Sequence, residues 1–120
     1  MNIEEFREYC LSKKYTTESF PFDTTTLVFK VAGKMFALTS LDRQPTTTNL
    51  KCDPERSLML REEYPEIIEG FHMNKKHWNT ITIEGGLTNK LLIELIDHSY
   101  DLVIRGMTKK KQKELGFLSE

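Results

Sequence analysis

The chain has 120 residues, with 17 Lys+Arg against 18 Asp+Glu, a formal net charge of -1 and 38% hydrophobic residues. That is the size and balance of one globular domain, able to bury roughly two-thirds of its extended surface without metal or disulfide staples. It excludes a disordered chain and a strongly basic DNA coat, and no apolar run approaches the ~20 residues of a bilayer span.

Residues 2 to 13 carry Ile3, Phe6, Tyr9 and Cys10 at helical spacing with Glu4, Glu5, Arg7 and Glu8 between them, which predicts an amphipathic first helix. Its acidic start is no secretory signal, so a cytoplasmic protein with reduced thiols at Cys10 and Cys52 is expected. Lys14 to Thr25 reads as a polar loop containing Phe20-Pro21-Phe22. Thr26 to Val31 and Lys34 to Leu41 form a hairpin around Ala32-Gly33, and Thr46 to Lys51 a third strand. Asp53-Pro54 opens a second helix that ends at Pro65. Ile67 to Phe71 and Trp78 to Glu84 are two further strands. Thr88 to Arg105 is the longest helix, followed after Gly106 by a basic tail, Lys109 to Lys113. The expectation is a single two-layer α+β domain over residues 1–107. It has a mainly antiparallel five-stranded sheet, helices on one face, the order α-β-β-β-α-β-β-α and a tail over 108–120. Alternation puts Leu27, Phe29, Leu50, Ile81 and Ile83 under the helices. It leaves Lys30, Asn49, Lys51, Trp78, Thr80 and Thr82 facing solvent on the other side.

The near-neutral total conceals segregation. Residues 26–52, 73–90 and 108–120 carry eleven basic against four acidic side chains, whereas the remainder carries six against fourteen. A local positive face attracts phosphates whatever the net charge. Lysines on hairpins also discourage edge pairing, and glutamates favour helices, so the segregation has a structural reading too.

The most unusual stretch is His72-Met73-Asn74-Lys75-Lys76-His77-Trp78-Asn79-Thr80. Lysines reach phosphates, asparagine bonds base edges and an exposed indole stacks on a base. Solvated turns have the same composition, and a tryptophan opening a strand also serves as a core plug. The five-residue spacing of His72 and His77 suits neither a helical nor a strand zinc pair, so no metal and no cofactor are expected. His98-Ser99-Tyr100-Asp101 raises acid–base chemistry but reads more simply as a polar helix face. No nucleophile is matched with a base, and a catalytic Cys52 would need His72 or His77 brought to it by the fold. No enzyme is expected.

Five blocks resemble the bacterial MmcQ/YjbR family. They are Phe20-Pro21-Phe22, Leu27 to Leu38, Asn49-Leu50-Lys51-Cys52-Asp53-Pro54, His72 to Thr80, and Leu95 to Val103. The resemblance implies a frataxin-like or secretion-chaperone-like fold with a double-wing DNA-binding motif, in which sheet hairpins flank nucleic acid. It implies no catalytic residues. Charge, strand parity and the matched blocks together nominate Lys30, Lys34, Lys51, Asn74, Lys75, Lys76, His77 and Trp78 as nucleic-acid contacts. The expected partner is DNA, bound weakly by a monomer with no membrane association. The alternative is a protein- or peptide-binding module using the open sheet face. A third class, an enzyme on a small acidic ligand, would need a concave pocket around His72, His77 or His98.

Overall fold

A computed structural model describes residues 1–119. The elements are α1 (Ile3–Ser12), β1 (Thr16–Ser19), β2 (Thr26–Val31), β3 (Lys34–Ser40), β4 (Thr47–Lys51), α2 (Pro54–Glu63), β5 (Ile67–Glu69), β6 (Trp78–Thr82), α3 (Asn89–Arg105) and α4 (Lys109–Glu114). Each long helix starts on a side-chain cap. Asn2 and Glu5 form a reciprocal capping box for α1, Asp53 precedes Pro54 at the head of α2, and Thr88 caps α3.

The strands make one antiparallel sheet in the order β1-β2-β3-β4-β6-β5. The sheet therefore has six strands and not the expected five. The extra one, β1, lies in the segment read as polar loop. Thr-Thr-Glu-Ser lacks apolar alternation because an edge strand is held by its backbone ladder to β2, from Thr16↔Val31 to Ser19↔Val28. A forked ion pair from Arg7 on α1 to Glu18 ties it down further. The stretch after Gly106, read as a basic tail, also has regular structure. It forms α4, after which Phe117 packs edge-on against Tyr15 and Tyr100.

The helix-side core follows the predicted parity: Leu27, Phe29, Leu50, Ile81 and Ile83 are buried there with Phe6 of α1, Leu60 of α2, and Leu92 and Ile96 of α3. β3 is the central strand and is buried on both faces from Phe36 to Thr39. A bulge lets it serve both, since Phe29 pairs with Ala37 and Lys30 with Met35. Phe36, the extra residue, joins the core and meets Tyr100 edge-on at 5.3 Å.

The face away from the helices is less open than expected. A row runs across it through Ser19, Val28, Leu38, Asn49, Thr80 and Ile68. Within that row Val28, Leu38 and Thr80 are buried. The loops before β2 and before β6 rise along its flanks, and Phe22, Phe71, His72 and Met73 border the concavity between them.

Candidate nucleic-acid interface and the cavity beside it

Antiparallel pairing decides which side chains share an end of the sheet. β2 finishes at Val31, β3 starts at Lys34, β4 finishes at Lys51 and β6 starts at Trp78, with Val31↔Lys34 and Lys51↔Trp78 in register. One end of the sheet thus gathers Lys30, Lys34 and Lys51, and the segment from Asn74 to His77 enters β6 there. Lys34 and Lys51 line one shallow depression with Met35, Val103, Gly106 and Met107, and α4 with its four lysines begins two residues after Met107. Lys34, Lys76 and His77 are exposed, whereas Lys30, Lys51 and Trp78 are half-buried. The two ion pairs among the described residues, Arg7–Glu18 and Lys13–Asp97, involve none of these lysines.

Much of the 72–80 block is occupied in holding its own shape. The Asn74 carboxamide oxygen accepts from the backbone N–H groups of Lys76 (2.9 Å) and His77 (3.2 Å), an Asx-type turn. The Lys75 ammonium donates to the Gly70 carbonyl at 2.9 Å. Asn79 is on the helix side, 1% exposed, donating to Ser57 Oγ and accepting from Arg61 Nε at 2.8 Å. Thr80 Oγ donates to Asn49 Oδ1 at 2.6 Å and accepts from the Phe71 N–H. Arg61, which sequence reasoning passed over, joins α2 to this loop. Its guanidinium also donates to the Lys75 and Trp78 carbonyls. Gly70 completes the clasp, since a Cβ there would stand 2.8 Å from the Trp78 carbonyl oxygen. Of the eight nominated residues, Asn74 and Lys75 are therefore committed to the loop's own turn and closure. Lys30, Lys34, Lys51, Lys76, His77 and Trp78 have side chains with no hydrogen bond among the described residues.

The Asp97–Tyr100 turn of α3 is similarly absorbed into architecture. Asp97 accepts from Tyr9 Oη and the Lys13 ammonium, and Ser99 Oγ bridges β3 and β4. Tyr100 Oη donates to the Lys14 carbonyl. Burial and, for Tyr9, the bond to Asp97 push both phenols up to about 12. Burial raises the Cys10 and Cys52 thiols as well, which suits inert side chains.

His98 Nε2 accepts from the Asp53 N–H at 3.1 Å, so the folded state uses the neutral ring. Burial first, then Arg56, holds its pKa below the ordinary 6.5. The unfolded chain takes up a proton that the native state resists. This contribution to stability is full above about pH 6.5 and is lost as pH falls through the lower native value. Urea unfolding of wild type from neutral to mildly acidic pH should show that fall. His98→Gln, which keeps an acceptor but cannot titrate, should flatten it.

The concavity on the open face has a volume of about 320 Å³. Leu38, Met35 and Met73 are among its apolar lining, Phe22 and Phe71 stand at its flanks, and Arg43 and His72 add basic groups. The Asn49–Thr80–Phe71 hydrogen bonds fix one wall to the sheet. No helix of the described residues is long and apolar enough to cross a membrane, and no cluster of metal-ligating side chains occurs among them.

The YjbR family model matches residues 11–102, which span β1 through most of α3 and include the whole 72–80 block. The chain belongs to the YjbR family. It is 38% identical over 112 residues to the protein YbdF of Escherichia coli O157:H7, covering 93% of this chain and 92% of that one. It is 29% identical over 115 residues to YjbR of Escherichia coli K12, covering 96% and 98%. The crystal structure of Deinococcus radiodurans protein DR2400, a DUF419 domain, superposes with a TM-score of 0.91 at 44% identity, covering 98% of this chain and 89% of that one. A Pseudomonas syringae protein follows at 0.76 and 30% identity, covering 86% and 99%. The fold is thus that of YjbR/DUF419 proteins, and none of these names states an activity.

Proposed function

We propose that this YjbR-family protein is a non-catalytic, cytoplasmic nucleic-acid-binding protein that docks phosphates on the β2–β3 end of its sheet. The observation that carries the reading is the convergence, through strand register, of Lys30, Lys34 and Lys51 beside the Lys76 loop and the start of α4. Lys30 and Lys34 flank one hairpin turn while Lys51 and Lys76 come from more distant segments, and none has an ion-pair partner among the described residues, so their charge is available to an anion. His77 and Trp78 sit at the same end and supply surface for a sugar or base. Asn74 and Lys75 contribute by shaping the loop, which assigns the phosphate contacts to Lys76 and the hairpin lysines. Against acid–base chemistry on the α3 turn stand the occupied side chains of Asp97, His98, Ser99 and Tyr100, each engaged in a bond that positions an element.

Backbone amide NMR of the labelled full chain, titrated with a short duplex and then with a single strand, tests this. Shifts should concentrate at Lys30, Lys34, Lys51 and residues 74–78 and shrink as salt is added. An unperturbed basic end with both ligands at low salt would end the nucleic-acid reading.

A further inference from the structure

We infer that the cavity on the sheet face away from the helices is a binding site for a small amphipathic anion, a ring-sized apolar body carrying one carboxylate or phosphate group. This site adjoins the phosphate-docking end and shares only Met35 with the Lys34–Lys51 depression. Its volume of about 320 Å³ lies at the small end of ligand pockets, which run from about 300 to 1,000 Å³. It admits one ring with a short substituent and does not offer the length of a peptide groove.

The lining divides by chemistry. Leu38, Met35 and Met73 provide an apolar surface, and Phe22 and Phe71 provide aromatic ones. Phe71 does not float. Its N–H and carbonyl are bonded to Thr80 and Asn49, so this wall is formed before any ligand arrives. The anion's partner is Arg43. Its guanidinium lies 4.9 Å from the Phe71 ring centroid, which orients it, and it makes no hydrogen bond or ion pair among the described residues. A planar fork of donors held at the mouth of an apolar cavity suits a carboxylate or a phosphate. The Ser40 and Thr47 hydroxyls and the His72 ring also line the cavity and have no side-chain hydrogen bond among the described residues. They are donors in waiting for the same group.

One acidic residue, Asp23, borders the site and must be weighed against an anionic ligand. Its carboxylate accepts from the Thr25 and Thr26 N–H groups and the Thr26 hydroxyl, and these bonds hold its pKa below the ordinary carboxylate value. Its charge is thus spread onto local donors that cap the loop. A larger depression beside α1 and β1 offers an anion no free cation, because its one basic side chain, Arg7, is paired with Glu18 and Glu4 adds a negative charge.

The experiment uses the full chain with ¹³C-labelled methionine methyls, titrated with 3-phenylpropionate, phenyl phosphate and the neutral 3-phenylpropanol. The Met73 methyl signal, which belongs to this cavity alone, should shift saturably with at least one of the two anions, and Met35, which also borders the Lys34–Lys51 depression, should follow it with the same affinity. The alcohol should bind at least about tenfold more weakly, the effect of losing one charge-assisted hydrogen-bond partner. Arg43→Gln should lower anion affinity by a similar factor. Thr47→Trp, which fills the cavity from the partly exposed face of β4, should abolish the shifts. Both variants should keep the wild-type melting temperature and nucleic-acid affinity. Absence of methyl shifts with either anion at millimolar concentration would overturn the inference. So would equal binding of the alcohol, or shifts that persist in a folded Thr47→Trp protein.

Discussion

Lys34→Glu/Lys51→Glu is expected to lower nucleic-acid affinity by at least about a hundredfold at 50 mM salt while leaving the fold intact. Each phosphate neutralised by a lysine contributes about −0.9 to the slope of log affinity against log salt on a duplex. Four contacts, from Lys30, Lys34, Lys51 and Lys76, correspond to a slope of about −3.6 and a loss of roughly a hundredfold between 50 and 200 mM salt. Removing two of them cuts the slope to about −1.8, and counterion release alone then costs about two decades at 50 mM. Charge reversal adds repulsion to that. Lys34 is exposed and the Lys51 backbone bonds do not involve its ammonium, so the change acts on the surface and not on the ladder. Fluorescence anisotropy with a labelled duplex, run over that salt range, reads both quantities. An unchanged slope in the double variant would mean that phosphates are docked elsewhere or not at all.

The same arithmetic explains how a protein of net charge -1 can bind a polyanion at all. Counterion release depends on the few phosphates contacted and not on the molecule's total charge, while long-range steering does depend on the surrounding field. Acidic groups such as Glu4, Glu5, Glu62 and Glu63 are carried by α1 and α2, not by the segments that supply the docking lysines. The expected behaviour is therefore modest affinity with a clear salt dependence.

How much of this could be read from the chain alone differs by element, for physical reasons. β2, from Thr26 to Val31, has the predicted bounds because Leu27, Phe29 and Val31 alternate and Ala32-Gly33 turns the chain with φ of 48° and 86°. α2 was visible through Asp53-Pro54, since capping is a local signal, and α3 through its apolar residues at helical spacing from Leu91 to Val103. β1 was not visible, because an edge strand need not alternate when its partner supplies the hydrogen bonds. Parity placed Thr80 on the correct face but misjudged its exposure. Nothing local to Thr80 announces that Phe71 will fold back and bond to it. The nominated lysines were chosen by segment charge, and register brings three of them to one end. Asn74 and Lys75 show the opposite outcome, with side chains that suit a ligand engaged by the backbone of their own loop. Arg61 and Arg43 carried no signal at all. One lies in a helix of ordinary composition and the other in a turn, and only tertiary placement gives them partners.

Ser99→Ala is expected to destabilise the protein by about 2–4 kcal/mol, because one hydroxyl serves two buried backbone groups. The β3–β4 ladder runs from Ser40↔Thr47 to Ala37↔Leu50, and one further step would set Phe36 opposite Lys51. That step is not taken. Ser99 Oγ enters between the strands, accepting from the Lys51 N–H at 2.9 Å and donating to the Phe36 carbonyl at 2.6 Å. Phe36 is also the extra residue of the β2–β3 bulge, so its carbonyl is displaced from a regular ladder. The fully buried hydroxyl acts as a wedge that replaces the missing rung and ties α3 to the end of the sheet carrying Lys51. In alanine both groups lose a partner that stands at a fully buried position. At about 4 °C per kcal/mol for a domain of this size, the melting temperature should fall by about 8–16 °C. Amide exchange at Lys51 should accelerate more than at Thr48 in the same strand. A loss below about 1 kcal/mol with Lys51 still protected would mean that β3 and β4 close on each other and bond directly. In that case the serine fills space and is not a rung.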